Sequence, residues 1–177
     1  MLTIENLLDK EAILSLVQRY CRAADRRDYA LMQSLYHDDA IEDHGSFFNG
    51  LAKDFLSQLP AIQAPMQILA HHITTCNIVF NKHNASQAEG EIYVLALHQV
   101  QTENGLIDVM ISGRYLDRYE KRDGQWKFSF RTIVADWAKV NTPSQADNQH
   151  PMVAGAYQGQ GDKSDASYRL LKLFAAL

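Results

Sequence analysis

The spacing of apolar positions changes once along the chain, from a helical repeat to a strand repeat. In the first segment, apolar or aromatic residues recur at spacings of three and four: Ile13, Leu16, Val17, Tyr20 and Ala24. This spacing aligns them along one stripe and predicts an amphipathic helix over residues 9–24, with Asp9 as its N-cap. Two shorter helices are expected over residues 29–36 and 53–59, the second ended by Pro60.

From residue 67 onward the pattern is typical of long antiparallel strands. After a short strand at residues 40–42, four longer ones are expected over residues 68–80, 87–101, 106–119 and 126–137. The pairs Asn104-Gly105 and Asp123-Gly124 favour tight hairpins between the last three of them. Helices followed by hairpin-linked strands indicate an α+β fold, in which a curved antiparallel sheet wraps over the N-terminal helices.

The composition changes again after Trp137. Residues 141–177 begin with a polar, Gly-rich stretch interrupted by Pro, which is typical of a linker. The end of this region is apolar with helical spacing from residue 168 to 177, and Ser164 or Asp165 is the expected cap. Residues 1–140 are therefore predicted to form one domain. The terminal helix has no core of its own, so we expect it to dock on this domain or on a neighbouring subunit of a homodimer or homotrimer.

The overall composition restricts the classes of partner. The chain has 177 residues, 46% of them hydrophobic, and a formal net charge of −4 from 17 basic and 21 acidic side chains. The absence of a basic stripe argues against a nucleic acid partner, and no apolar run approaches the length of a membrane span. The N-terminal segment is acidic before its first basic residue, unlike a signal peptide. A cytoplasmic protein with free thiols at Cys21 and Cys76 is therefore expected.

Tyr20 and Asp25 are candidates for chemistry at the end of the first helix. Tyr20 belongs to the apolar stripe, so its ordinary interpretation is a core tyrosine with a satisfied hydroxyl. Asp25 belongs to a charged cluster, where it is ordinarily a solvated carboxylate. The negative end of the helix dipole disfavours an acid there unless a cation pairs with it, and Arg26 or Arg27 is near enough in sequence to do so.

The dipeptide His71-His72 lies in the first long strand, where adjacent side chains point to opposite faces. His72 shares its alternation with Cys76 and Ile78, so it is the histidine expected to face the interior. A histidine among apolar groups is either a satisfied core residue or a base.

Arg131 lies on the last strand, where strict alternation places it on the face opposite Phe128. An arginine that is buried there needs a carboxylate partner. An Asp25–Arg131 pair would meet that need. Asp25 could instead pair with His72.

Metal and nucleotide chemistry have weaker support. The segment HDDAIEDH holds several metal-ligand types: His37, Asp38, Asp39, Asp43 and His44. Their spacing matches no zinc or calcium pattern, and Asp-rich turns are common before strands, so no metal is predicted. No GxSxG elbow and no Gly-rich phosphate loop is present, so neither a nucleophilic triad nor a nucleotide cofactor is expected.

Several segments, in this order, resemble one known family: AILSLVQRYCRAADRRD, YHDDAIEDHG, HHITTCNIVF and GRYLDRYEKRDGQWKFSFRTIVADW. Over roughly residues 5–138 the chain is similar to the SnoaL-like family. The resemblance implies a nuclear transport factor 2-like fold, also called cystatin-like. In that fold a cone-shaped half barrel packs on N-terminal helices around a hydrophobic pocket.

The resemblance also implies a reaction. Dehydratase and dehydrochlorinase members use an Asp–His pair as general base, and Asp25 and His72 fall on those positions, with His71 leaving the register open by one. Arg131 matches an assisting arginine, and Tyr20 matches a tyrosine of one member. A lyase or isomerase acting on a small hydrophobic ring compound, without cofactor or metal, is therefore expected. The alternatives are a polyketide cyclase and a non-catalytic ligand-binding or assembly subunit, like the small subunit of aromatic-ring dioxygenases.

Overall fold

The computed structural model describes residues 3–144, 149–171 and 173. The predicted elements up to residue 141 are present in order, and a short strand at residues 49–51 and a short helix at residues 151–154 were not expected. The helices are α1 (Ile4–Asp25), α2 (Tyr29–Ser34), α3 (Ala52–Gln63), α4 (Pro151–Ala154) and α5 (Ala166–Leu170). The strands are β1 (Tyr36–Asp43), β2 (Asn49–Leu51), β3 (Met66–Phe80), β4 (Gln87–Thr102), β5 (Gly105–Arg122) and β6 (Gln125–Asn141). No helix in these ranges is long and apolar enough to cross a membrane.

The strands of the described residues form a sheet in the order β2-β1-β6-β5-β4-β3. Neighbouring strands are antiparallel, except that β1 runs parallel to β6. The tight turns before and after β5 contain Gly105 and Gly124, with φ of 107° and 77°, a region that favours glycine. The sheet is curved and unclosed and packs on the N-terminal helices, so the predicted α+β fold is confirmed.

The core lies between α1 and the inner face of the sheet. The predicted stripe of α1 is buried, as Ile13, Leu16, Val17, Tyr20 and Ala24 all belong to the core. The sheet contributes inward-facing residues of β4, β5 and β6 to the same core: Ile92, Val94, Tyr115, Tyr119 and Phe128. Burial of this apolar area is the main term that stabilises the packing of the helix on the sheet.

The helix α1 begins earlier than the apolar pattern predicts. Thr3 is the N-cap, and its hydroxyl accepts a hydrogen bond from the backbone N–H of Asn6 at 3.1 Å, as part of a capping box. Asp9, the expected cap, is instead buried and accepts hydrogen bonds from Lys121 Nζ and Trp126 Nε1, both at 2.8 Å. Asp9 therefore ties α1 to the hairpin between β5 and β6.

The helix α3 continues through Pro60 to Gln63, although Pro60 was expected to end it. A proline inside a helix removes one backbone hydrogen bond and commonly costs about 3 kcal/mol. The same helix buries Phe55, Leu56 and Leu59 before the proline, and Ile62 after it packs against the core. Tertiary packing thus overrides the local stop signal.

An extra residue in β3 reverses the alternation of its side chains. Ile73 pairs with Val94 and Cys76 pairs with Ile92, so two residues of β3 lie opposite the one residue between those partners. This is a β-bulge, which shifts inward and outward positions by one. Strict alternation carried back from Cys76 therefore selects the wrong histidine: His72 is exposed.

A second bulge lies in β6. Phe128 pairs with Tyr119 and Phe130 pairs with Arg118, which leaves Ser129 as the extra residue. Arg131 consequently shares the inner face with Phe128, where alternation alone placed the two on opposite faces.

Residues 149–171 return to the end of α1. The helix predicted over residues 168–177 lies only partly within the described residues, where the short α5 has the expected Asp165 as its N-cap, accepting from the Ser167 N–H at 3.0 Å. Residues 172 and 174–177 lie outside the described part of the chain. The segment contacts α1 of the same chain through ion pairing of Asp165 with Arg26 and a hydrogen bond from Arg22 to Ser167.

Candidate functional site

A carboxylate and an imidazole meet where α1 ends against β3. Asp25 Oδ1 lies 2.6 Å from His71 Nδ1, and Asp25 Oδ2 accepts a hydrogen bond from the His71 backbone N–H at 3.1 Å. Their side chains are only 17% and 11% exposed. An ionised carboxylate can only accept, so Nδ1 of a neutral His71 carries the proton and Nε2 is left as the basic atom.

The histidine in contact with Asp25 is therefore His71, and the assignment of His72 to this position is wrong. His72 pairs with Leu95 across the ladder and points outward, because the bulge beyond Ile73 breaks the alternation on which that assignment rested. The composition of the pair was predicted correctly, but its register was off by one residue.

A second imidazole faces the first and was missed in the sequence. The rings of His98 and His71 have centroids 5.4 Å apart, at an interplanar angle of 61°. Burial, aided by the charge of His71 and opposed by that of Asp25, lowers the pKa of His98 to about 4, so its ring is neutral near pH 7. His98 Nε2 is buried and has no hydrogen-bond partner among the described residues. Its alternation with Ile92, Val94 and Ala96 along β4 is the signal that could have found it.

Arg131 is buried and pairs with Asp117 rather than with Asp25. Arg131 Nε and Nη2 donate to the two carboxylate oxygens of Asp117 at 2.7 and 2.8 Å. The guanidinium carbon lies 4.1 Å from each of the ring centroids of Tyr20, Tyr115 and Phe128. Bidentate pairing of this kind compensates the burial of both charges. Arg131 and Tyr20 are thus brought together, but not onto the Asp25–His71 pair.

Tyr20 lies five residues before Asp25 on α1, which is about 7.5 Å along the helix axis. Burial and the charge of Glu42 raise the pKa of Tyr20, opposed by the charge of Arg131, so its hydroxyl stays protonated. Tyr20 packs edge-on against Tyr36, Tyr115 and Phe128. The ring of Tyr20 is therefore part of the core.

Glu42 is a buried carboxyl that sequence reasoning did not single out. It accepts a hydrogen bond from the Tyr36 hydroxyl at 3.2 Å, and His44 Nε2 lies 3.4 Å from the same oxygen. Burial raises the pKa of Glu42, although His44 and Arg131 oppose the shift. In the register between the parallel strands β1 and β6, the backbone of Glu42 lies opposite that of Arg131.

The remaining ligand types of the HDDAIEDH segment are dispersed. His37 Nε2 lies 2.9 Å from the Glu120 carbonyl oxygen, and Asp39 accepts from Arg122 at 2.7 Å. Among the described residues, no group of three or more His, Cys, Asp or Glu side chains is arranged to hold a metal ion.

A groove of about 460 Å³ adjoins His71 between α1 and β3. Its lining combines apolar side chains and thiols with polar side chains: Leu14, Val17, Ile73, Cys21 and Cys76, together with Gln18, His72 and Thr74. Both cysteines are free, as predicted. Burial raises the pKa of the Cys21 thiol to about 12, so it behaves as an apolar wall of the groove rather than as a nucleophile.

Known proteins share this architecture. The model of the SnoaL-like domain matches residues 5–132. The γ-hexachlorocyclohexane dehydrochlorinase of Sphingobium indicum is 26% identical over 141 residues, which cover 77% of this chain and 86% of the relative. A hexachlorocyclohexane dehydrochlorinase of Novosphingobium barchaimii matches with a TM-score of 0.71 and 21% identity, over 80% of this chain and 95% of its own. A Novosphingobium aromaticivorans protein, provisionally assigned as a scytalone dehydratase, matches with a TM-score of 0.69 and 24% identity, over 78% and 91%.

Proposed function

Because the chain belongs to the SnoaL-like family, we propose that it is a lyase or isomerase that acts on a small hydrophobic ring compound without a cofactor. The observation that carries the proposal is the 2.6 Å contact between Asp25 Oδ1 and His71 Nδ1 at the end of α1. A histidine held in this way is a general base whose tautomer and orientation are fixed by its carboxylate partner.

In the proposed reaction, His71 Nε2 takes a proton from a C–H bond of the substrate. The carbanion or enolate that develops then expels a neighbouring leaving group, in a lyase, or is reprotonated at another carbon, in an isomerase. Asp25 stabilises the imidazolium that forms, because its negative charge stays within hydrogen-bond distance of Nδ1. The proton later leaves His71 for the departing group or for the product.

His98 is the residue we assign to the substrate's polar group. Its ring is neutral and faces His71 at a centroid distance of 5.4 Å. A neutral imidazole can donate one hydrogen bond to a carbonyl or hydroxyl oxygen, and doing so would satisfy a buried group that otherwise has no partner in the described part of the chain. The substrate we expect therefore carries an oxygen close to the C–H bond that is broken.

The predicted roles of Tyr20 and Arg131 change with their positions. Two nitrogens of Arg131 already donate to Asp117, and three aromatic rings cover its guanidinium. We therefore assign Tyr20 and Arg131 to the packing of α1 on the sheet rather than to assistance of the reaction.

Hydrophobic substrates are favoured by the surroundings of His71. Aliphatic side chains and un-ionised thiols form a large part of the groove beside it. The relative from Sphingobium indicum is, by its name, a dehydrochlorinase of hexachlorocyclohexane, a hydrophobic ring compound.

The test follows proton abstraction directly, whatever the leaving group. Hydroxylated, halogenated and keto ring compounds are incubated with the protein in D₂O, and loss of C–H signal or elimination is followed by ¹H NMR. For any compound that reacts, Asp25→Asn and His71→Gln are each expected to reduce the rate by about 10²–10⁴-fold, the usual contribution of a general base.

His72→Gln is the matched control, because it removes an adjacent exposed imidazole of the same groove and leaves the Asp25–His71 contact in place. It should reduce the rate far less than His71→Gln does. If His72→Gln abolishes the reaction while His71→Gln does not, the proposed base is wrong. If no compound of these classes exchanges or eliminates, yet some bind, a non-catalytic ligand-binding role replaces the proposal.

A further inference from the structure

Residues 159–171, here called the C-terminal strap, bind the arginines at the end of α1. Arg26 Nε lies 3.4 Å from Asp165 Oδ1. Arg27 Nη1 donates to the Gly161 carbonyl oxygen at 2.8 Å, and its other terminal nitrogen donates to the Met66 carbonyl oxygen. The strap therefore engages the two guanidinium groups that directly follow Asp25 in sequence.

Asp165 is fixed in place for this contact. Its side chain is nearly buried and accepts hydrogen bonds from the Gln160 N–H at 2.9 Å and from the Ser167 hydroxyl at 2.6 Å. Burial alone would raise its pKa, but these hydrogen bonds and the charge of Arg26 lower the pKa to about 2. Asp165 is therefore a permanent anion next to Arg26.

Gly161 is fitted to the other arginine. A Cβ atom at this position would lie 1.5 Å from Arg27 Nη1, so any larger residue displaces the guanidinium from its carbonyl acceptor. The strap thus accommodates Arg27 only because residue 161 has no side chain.

Asp25 is the last residue of α1 and directly precedes these two arginines, yet its carboxylate does not pair with either. Among the described residues, its two oxygens accept from the backbone and the ring of His71. Arg26 donates instead to the Asp25 backbone carbonyl at 3.2 Å. A carboxylate at the negative end of a helix ordinarily attracts the nearest cation. Something must therefore hold the guanidinium groups elsewhere.

We propose that the C-terminal strap, through Asp165 and the Gly161 carbonyl, is a positioning device that keeps Arg26 and Arg27 off the Asp25 carboxylate. The carboxylate is thereby left entirely to His71. This inference rests on the proposed role of Asp25 and His71 as the base. A guanidinium paired with Asp25 would weaken its hydrogen bond to His71 and reduce the stabilisation of the imidazolium.

The experiment observes the Asp25–His71 hydrogen bond without a substrate. In ¹⁵N-histidine-labelled protein, the Nδ1–H proton of a histidine bound to a carboxylate gives a resonance far downfield, and Asp25→Asn assigns it by abolishing it. The titratable groups around His71 are Asp25 on α1 and His98 on β4, with His72, Cys21 and Cys76 in the same groove. All spectra are therefore recorded at one pH.

Asp165→Asn is expected to move this resonance upfield or broaden it, because Arg26 is released to pair with Asp25. Adding Arg26→Met in the same chain should restore it, since the competing cation is gone. Gly161→Ala is the independent variant, with restoration by Arg27→Met. Where turnover is measurable, Asp165→Asn should lower kcat by about 10-fold to 100-fold, the range expected when a catalytic group is misplaced, with KM little changed.

A strap that merely stabilises the fold predicts the opposite outcome for the double variant. Loss of Arg26 in addition to Asp165 would then leave the resonance as weak as in Asp165→Asn alone, and that result would overturn the proposal. An unchanged resonance in both Asp165→Asn and Gly161→Ala would overturn it as well. If Asp25→Asn leaves the downfield resonance in place, the base itself is misassigned, which is a separate failure.

Discussion

Arg131 is enclosed by the core, and the residues around it decide whether that burial is tolerated. Asp117 supplies both carboxylate oxygens, and the Tyr119 hydroxyl donates to the same carboxylate at 2.6 Å. A buried ion pair of this kind contributes little net stability, because desolvation offsets the attraction. Removal of one member is nevertheless costly, since it leaves the other charge without compensation.

We therefore expect Asp117→Asn to lower the free energy of unfolding by about 3–5 kcal/mol, measured by urea denaturation. The matched control is Asp136→Asn, which breaks an ion pair with Arg114 on the exposed side of the sheet. Because solvent and salt screen that pair, its loss should cost at most about 1 kcal/mol. Equal effects of the two substitutions would contradict the account of Arg131 given above.

At the scale of the element, β-bulges decide which side chains face the interior. The bulge in β3 turns His71 inward, and the bulge in β6 brings Arg131 to the face of Phe128. A third irregularity lies where β5 and β6 pair, between Ser112 and Gly113. There the backbones approach so closely that a Cβ on Gly113 would lie 2.4 Å from the Val134 carbonyl oxygen.

Gly113→Ala should consequently destabilise the fold, because backbone rather than a flexible side chain must move. We expect a loss of about 1–3 kcal/mol in the free energy of unfolding, as is usual for overpacking. Gly159→Ala is the control, since a Cβ there meets no atom within 4 Å. A neutral Gly113→Ala, determined by the same denaturation assay, would show that β5 and β6 are not so closely spaced.

At the scale of the whole molecule, the outer face of the long strands carries exposed apolar side chains. Tyr93 on β4 and Trp137 on β6 are 38% and 50% exposed. The ladder places Ser112 between Leu95 and Trp137, so a polar position separates these two apolar ones. Exposed apolar side chains on a sheet face are typical of an interaction site, and the predicted homo-oligomer would use them.

We accordingly expect Trp137→Asp to shift the protein toward monomers in size-exclusion chromatography with light scattering. A charge placed in an apolar contact would have to be desolvated there. Leu7→Asp, on an equally exposed position of α1, should leave the mass unchanged. A wild-type protein that is monomeric at all concentrations would contradict the expectation of an oligomer.

The local sequence pattern was sufficient to predict the α+β architecture. The three-and-four spacing of α1, the alternation of the long strands and the two turn pairs with glycine each predict their element from neighbouring residues alone. Asp25 at a helix end and an arginine on the last strand were found because each is a charge in a place that disfavours it. The element boundaries shifted where tertiary contacts compete, as for Pro60 within α3 and Asp9 in the core.

The register of the site, in contrast, was decided only by the tertiary structure. Alternation selects His72, but one extra residue in β3 reverses it, and no local signal marks that residue as a bulge. The partner of Arg131 is Asp117 because the register between β5 and β6 places them opposite each other. The docking of Asp165 on Arg26 likewise joins residues far apart in sequence. Periodicity depends on neighbours along the chain, whereas pairing depends on how strands and helices align in space. The sequence by itself therefore determined the elements, and the tertiary structure decided which side chains meet at the site.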